Sequence, residues 1–186
     1  EAFQNHKKKN FKIAEKLYKK ILTKQPDHFG SIFYLGTLAM QIKNFDEAKI
    51  WYKKAIKIKP NLPDAYNNLG NIEQNLGDLE NAKICYERAI KANPNYPAAH
   101  NNLGTIQQSL GDLAKAKICY EQAIKVDPNY PAAYNNLGNV FNELGKYKEA
   151  QGNCEKAIKI NSKYASAYNN LGNAFKKLKE HKKAIA

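Results

Sequence analysis

The 186-residue sequence lacks the features that would identify a membrane protein, a disulfide scaffold or a metalloenzyme. No apolar run approaches the roughly 18 residues that a membrane helix requires, so we expect no membrane insertion. The three cysteines form no even, closely spaced set, which excludes a disulfide framework and favours a reducing, cytoplasmic compartment. The four histidines are scattered, and no phosphate loop or nucleophile motif occurs. We therefore expect no metal, no cofactor and no catalysis in this segment.

A phrase with two adjacent asparagines returns every 34 residues, as AYNNLGN, AHNNLGT, AYNNLGN and AYNNLGN from residue 65 onward. A fixed period of this length indicates an array of repeats, each too small to bury its own apolar face. With the glycine of NNLG as position 8, the predicted segments are a partial repeat at 1–28, full repeats at 29–62, 63–96, 97–130 and 131–164, and a truncated repeat at 165–186. Because the chain begins without Met and stops within a repeat, we interpret it as an excerpt of a longer protein.

Each repeat is predicted to contain two helices, helix A at positions 2–14 and helix B at positions 17–30. Gly-Asp at 77–78 and 111–112 marks the turn between them, and Asn-Pro at 93–94 ends a helix B. The glycine at position 8 lies inside helix A, at a cost of roughly 0.5–1 kcal/mol relative to Ala. We expect a close approach of helix B there, at the alanines of position 20: Ala82, Ala116 and Ala150.

These features together resemble the tetratricopeptide repeat family. The repeat at 63–96 has the residue types of that family's signature at Tyr66, Leu69, Gly70, Gly77, Ala82, Tyr86, Ala89 and Pro94. The resemblance implies an all-α fold, a right-handed superhelical solenoid of antiparallel helix pairs, in a single array over residues 1–186. It also implies a module that binds a protein or peptide partner in the concave groove of the array.

Helical periodicity places positions 3, 4, 7, 8, 10, 11 and 14 of helix A on its apolar, core-facing side and positions 2, 5, 6, 9, 12 and 13 on the opposite side. The asparagines are therefore predicted to lie in that groove. A row of carboxamides offers donors and acceptors that can hold the backbone of an extended peptide. Alternatively, the asparagines connect one helix A to the next. The predicted groove residues are Asn67, Asn68, Asn71, Asn101, Asn102, Asn135, Asn136, Asn139, Asn169, Asn170, Asn173 and Tyr34.

The sixth-position asparagines carry a narrower resemblance. Asn68, Asn102, Asn136 and Asn170 match the pattern of the arrays that precede the catalytic domain of O-linked N-acetylglucosamine transferases, whereas Tyr34 departs from it. This resemblance implies an alternative function, the substrate-targeting arm of a larger enzyme such as a glycosyltransferase. The lysines and arginine of a chaperone-binding carboxylate clamp are missing, which disfavours an acidic chaperone tail as the partner.

The net charge of +13 lies mainly at the two ends, with +5 in residues 1–28, +4 in 29–62 and +4 in 165–186. The groove positions of the middle repeats have no lysine or arginine, which disfavours nucleic acid as the partner. On helix B, an apolar column on an otherwise charged convex face suggests a second contact surface, either for self-association in an assembly scaffold or for docking of another domain. Its residues are Ile50, Ile84, Ile118 and Trp51.

Overall fold

The computed structural model describes residues 1–185, and it describes the side chains of residues 1–179. The last residue and the side chains after residue 179, which belong to the predicted truncated repeat, lie outside the described residues. The described backbone consists of helices, turns and short connections without a β-strand, and it divides into two compact units, Glu1–Asn93 and Pro94–Ala186.

Unit 1 consists of three successive helix pairs, in which α1 packs on α2, α3 on α4, and α5 on α6. The bounds are α1 Ala2–Lys7, α2 Phe11–Lys24, α3 Phe29–Gln41, α4 Phe45–Ile58, α5 Pro63–Asn75 and α6 Leu79–Ala92. In unit 2, α7 packs on α8 and α9 on α10, and α11 packs on α9 and α10. Its bounds are α7 Pro97–Ser109, α8 Leu113–Val126, α9 Pro131–Glu143, α10 Tyr147–Ile160 and α11 Ala165–Ile185. The predicted all-α fold of paired helices is confirmed.

The helix boundaries follow from local residue choices. Proline occupies the first turn of α5, α7 and α9, where its fixed φ suits a helix and its missing N–H costs nothing. The turn glycines Gly77 and Gly111 have φ of +83° and +82°, a region that glycine enters without steric cost. Asp78 and Asp112 then cap α6 and α8, each accepting a hydrogen bond from the backbone N–H three residues later. Lys179 occupies the turn-glycine position of the last repeat, and there α11 continues without a turn.

The glycine at position 8 contacts the aromatic ring at position 24 of helix B. A Cβ on Gly70 would lie 2.5 Å from Cε1 of Tyr86, and a Cβ on Gly104 would lie 2.6 Å from Cε1 of Tyr120. The sequence predicted a close approach here but assigned it to the alanines of position 20. Those alanines are fully buried in the same interface, but the tyrosine ring is what leaves no room for a side chain at Gly70 and Gly104.

Two positions of helix A differ from the expected core pattern. Position 14 was predicted to face the core, yet Leu76 is 51% exposed because it is the residue at which the helix ends and the chain turns. Position 11 is buried even where it is polar. Glu73 is 6% exposed and forms a 2.6 Å ion pair with Lys49 of α4, which neutralises the buried carboxylate.

Candidate functional site

The first asparagine of the pair, at position 5, is buried in three of the four repeats that contain the pair. Asn67, Asn101 and Asn135 are 6–7% exposed, whereas Asn169 on the last helix is exposed. This differs from the predicted location in an open groove. In unit 2 the reason is that the A helices α7 and α9 pack directly against each other, and so do α9 and α11, so that side chains pointing along these seams are enclosed.

The carboxamides of unit 2 form one chain of hydrogen bonds that alternates between positions 5 and 6. Asn170 Nδ2 donates to Asn135 Oδ1 at 3.0 Å, and Asn135 Nδ2 donates to Asn136 Oδ1 at 3.1 Å. Asn136 Nδ2 donates to Asn101 Oδ1 at 3.0 Å, and Asn101 Nδ2 donates to Asn102 Oδ1 at 3.4 Å. A carboxamide has two N–H groups and two acceptor lone pairs, so this chain uses only half the capacity of Asn136. The asparagine pair therefore connects neighbouring repeats and fixes the orientation of the half-buried sixth-position amides.

In unit 1 the tyrosines of helix B form hydrogen bonds with polar side chains on the asparagine-bearing side of the A helices. Tyr86 passes beneath its facing glycine, and its hydroxyl lies 2.8 Å from Asn71 Oδ1 and 2.9 Å from Gln74 Oε1. The hydroxyl of Tyr52 accepts a hydrogen bond from Asn68 Nδ2 at 3.1 Å. Burial raises the pKa of both phenols, so they remain neutral donors at ordinary pH. Hydrogen bonds with these buried tyrosine hydroxyls thus orient the polar side chains at positions 6, 9 and 12.

The repeat at 131–164 lacks this support. In the preceding repeat, the hydroxyl of Tyr120 lies 3.0 Å from Gln108 Oε1 and 3.3 Å from Thr105 Oγ1, and burial raises the pKa of Tyr120 to about 12. Cys154 occupies the tyrosine position in the next repeat and has no hydroxyl. Asn142 Oδ1, at the position equivalent to Gln108, is buried and has no hydrogen-bond partner among the described residues. The cysteine substitution explains this unsatisfied acceptor.

Position 9 and the last helix supply the more exposed amides. The half-buried Asn139 donates to Glu143 Oε1 at 2.9 Å on its own helix, while Asn173 is exposed. The half-buried Asn68 and Asn71 take the corresponding places on α5. We call Asn102, Asn136, Asn139, Asn170 and Asn173 the amide surface of unit 2.

Tyr34, the departure from the asparagine pattern, lines an aromatic cavity of about 570 Å³ in unit 1. The ring of Phe3 lies 4.9 Å from that of Tyr34, centroid to centroid, and Lys7 lies over the ring of Phe3 at 4.7 Å. His6 Nε2 lies 3.0 Å from Gln41 Oε1 at the same cavity. This end of the A-helix side therefore offers an apolar recess with a cation at its rim. Phe3, which contributes an aromatic ring to this recess, was not predicted from the sequence.

The four residues predicted for a convex interface fall into two groups. Ile50, Ile84 and Ile118 are 64%, 45% and 56% exposed, as expected for surface contacts. Trp51 instead packs against the buried cluster around Ala14 and Tyr18. Its indole N–H donates to Glu47 at 3.2 Å, so Trp51 belongs mainly to the packing between helices.

Among residues whose side chains are described, no three or more His, Cys, Asp or Glu side chains are grouped so that they could hold a metal ion. No helix in the described part of the chain is both long enough and apolar enough to span a membrane.

Comparisons with protein families identify the repeat. Models described as tetratricopeptide repeats match residues 61–129 and 119–152, and a model described as a TPR repeat matches 36–77 and 138–179. Together these matches cover most of the chain. No curated protein matches the chain significantly.

Solved structures of similar fold point the same way. The crystal structure of MamA is 28% identical in sequence, covers 88% of this chain and 96% of its own, and has a TM-score of 0.77. YrrB, described as a TPR protein with an unusual peptide-binding site, is 21% identical, with 90% and 87% coverage and a TM-score of 0.71. TTC0263, a thermophilic TPR protein of Thermus thermophilus, is 20% identical, with 94% and 95% coverage and a TM-score of 0.71. The chain belongs to the tetratricopeptide repeat family.

Proposed function

We propose that this chain is a protein–protein interaction module, a single array of repeats that holds an extended peptide or partner segment along its A helices. The observation that carries the proposal is the hydrogen-bonded chain of carboxamides in unit 2, which fixes the sixth-position amides before any ligand arrives. A fixed polar surface loses little conformational entropy on binding. YrrB shows that the same fold can hold a peptide-binding site.

The spacing of the amides suits an extended backbone. Neighbouring packed helices lie roughly 8–10 Å apart. An extended chain rises about 3.3 Å per residue, so equivalent amides on successive A helices meet every third residue of a peptide. Asn136 has one N–H and one acceptor lone pair beyond its internal bonds, which suits the C=O and N–H of a peptide backbone.

Within this proposal the two asparagines of each pair have different roles. Asn101 and Asn135, at position 5, orient their neighbours, while the position-6 and position-9 amides contact the ligand. In unit 1, Asn68 and Asn71 contribute in the same way, and the cavity at Tyr34 takes an apolar side chain. The segment acts by binding alone. Its three cysteines form no disulfide in the described part of the chain, which is consistent with a reducing compartment.

The proposal can be tested with peptides selected from a random library on the wild-type chain. In the triple variant Asn68→Ala, Asn102→Ala and Asn136→Ala, their affinity should fall at least about tenfold. The matched control exchanges three exposed helix-B residues, Lys54, Glu87 and Gln122, for alanine and should bind as the wild type does.

A photo-crosslinking residue gives an independent readout that does not depend on the stability of the triple variant. Placed at the exposed Asn173, it should label the selected peptide, and placed at Gln122 it should not. Equal affinity for the triple variant, or equal labelling from both sites, would rule out a ligand on the A helices.

The alternative function, a substrate-targeting arm of a glycosyltransferase, uses the same amides and differs only in requiring that the gene also encode a catalytic domain. It rests on the sixth-position asparagines, all four of which engage in hydrogen bonds in this structure: Asn68, Asn102, Asn136 and Asn170. A catalytic domain in the coding sequence downstream of residue 186 would favour this alternative, and its absence would leave the free-standing module.

A further inference from the structure

A trough lies between the B helices α4 and α6 of unit 1. Its walls come from α4 and α6, and its floor is α5, which contributes Tyr66, Leu69 and Glu73. The cavity measures about 530 Å³, and a second cavity of about 600 Å³ continues it past Tyr66 and Arg88 toward Lys91. By helical geometry these floor residues face away from Asn68 and Asn71, so the trough is separate from the amide side chains of α5.

The trough has a cationic lining that the protein itself does not neutralise. Its carboxylate, Glu73, is buried and paired with Lys49 at 2.6 Å. Within the described part of the chain, no carboxylate lies within ion-pair distance of the remaining cations of the trough, Lys53, Lys57, Arg88 and Lys91. The guanidinium of Arg88 lies 5.9 Å from the centroid of the Tyr66 ring.

Apolar side chains lie between these cations. Ile84 of α6 is 45% exposed, and Ile56 of α4 and Leu69 of α5 line the same space. Burying the exposed part of such side chains contributes about 25 cal/mol per Å². A ligand that carried only negative charge would leave these apolar side chains exposed to solvent. The lining therefore matches a ligand that is both anionic and apolar.

We propose that the α4–α6 trough binds an acidic amphipathic helix of a partner protein. The walls are helices of 14 residues, about 21 Å long, which is enough for a helix of similar length to lie between them. Its apolar residues, spaced three and four apart, pack on Ile84 and Ile56, and its flanking carboxylates meet Lys53 and Lys57 on one wall and Arg88 on the other. A second copy of this chain is a poor occupant because each copy carries a net charge of +13.

The chain contains its own comparison at the equivalent positions of unit 2, on α8, α9 and α10. Lys57 and Arg88 have counterparts in Lys125 and Lys156, and Lys156 lies over Tyr134 at 5.6 Å. Several other lining positions differ, however, and two of them change the charge and the apolar surface that the proposed ligand would meet. Glu121 replaces Lys53 and pairs with Lys117 at 3.6 Å, and Gly152 replaces Ile84. The apolar contact and part of the positive charge are therefore specific to unit 1.

The test uses a synthetic helical peptide of about 14 residues built from Glu, Ala and Leu, with the leucines on one face, titrated into the full chain. Affinity should fall at least about tenfold in the double variant Lys57→Glu with Arg88→Glu. It should change less than about twofold in the matched double variant Lys125→Glu with Lys156→Glu, which alters the net charge equally. Ile84→Gln should weaken binding as well, and a peptide with Lys in place of Glu should not bind.

If the first double variant fails to fold, its neutral counterpart, Lys57→Gln with Arg88→Gln, takes its place. Equal losses in the unit 1 and unit 2 variants would overturn the proposal, because they would show attraction by net charge alone. It would also be overturned if a single-stranded oligonucleotide displaced the peptide and lost affinity in the same variants, since nucleic acid would then be the ligand. Because Asn68 and Asn136 are unchanged throughout, failure here leaves the peptide-binding proposal for the A helices intact.

Discussion

At the scale of single residues, the glycine at position 8 is required only where a helix-B side chain fills the facing space. A Cβ on Gly104 would lie 2.6 Å from the ring of Tyr120, whereas a Cβ on Gly172 would meet no described atom within 4 Å. We expect Gly104→Ala to lower the free energy of unfolding by about 1–3 kcal/mol, because the tyrosine must move in a packed interior. Gly172→Ala should raise it by roughly 0.5–1 kcal/mol through helix propensity. Urea unfolding of both variants measures the two changes in the free energy of unfolding. Two changes of the same sign would contradict the assignment of the glycine requirement to the facing helix-B side chain.

Cys154 is the second residue whose identity has a local consequence. Cys154→Tyr would place a hydroxyl where Tyr120 has one in the preceding repeat, within reach of the unsatisfied Asn142 Oδ1. We expect the variant to raise the free energy of unfolding by about 1 kcal/mol or more, the value of one buried hydrogen bond plus ring packing. Cys154→Phe is the control, since it supplies the ring without the hydroxyl. If the two variants unfold at the same denaturant concentration, Asn142 is not the acceptor.

At the scale of elements, the row of carboxamide hydrogen bonds links the A helices of unit 2. Asn135 donates to Asn136 and accepts from Asn170, so Asn135→Ala leaves two partners unsatisfied. We expect a loss of about 2 kcal/mol in the free energy of unfolding. The control Asn139→Ala removes only a bond to the exposed Glu143 and should cost less than about 0.5 kcal/mol. Chemical denaturation of both variants measures the two losses in the free energy of unfolding. Equal losses would show that the carboxamide hydrogen bonds do not stabilise the packing between the A helices.

The helices themselves were predictable from the period. Helix B of the repeat at 63–96 was expected at positions 17–30, and α6 spans those positions, Leu79–Ala92. The hydrophobic pattern of one helix could not separate position 5 from position 6, because both lie on its polar side. Which of the two is enclosed depends on contacts such as the one between Asn101 and Asn136, 35 residues apart. The trough was missed for the same reason, since its lining comes from three helices.

At the scale of the whole molecule, buried tyrosines make stability depend on alkaline pH. Burial raises the pKa of Tyr18 and of Tyr120 to about 12, from an ordinary value near 10. In the unfolded chain these phenols lose their protons first, so the stability they contribute is complete below pH of about 10 and is lost as the pH rises toward 12. We expect the free energy of unfolding to fall through this window, with tyrosinate absorbance appearing as the chain unfolds.

Deprotonation of the many lysines acts over the same pH range, and it relieves the repulsion of a chain with a net charge of +13. Tyr120→Phe separates the two effects, because it keeps every lysine and removes one buried phenol. Its free energy of unfolding should fall less steeply between about pH 10 and 12 than that of the wild type, whatever its value at neutral pH. Exposed Tyr168→Phe should leave the slope of the wild type unchanged. If Tyr120→Phe keeps the full slope as well, the loss at high pH does not come from the buried phenol beneath Gly104.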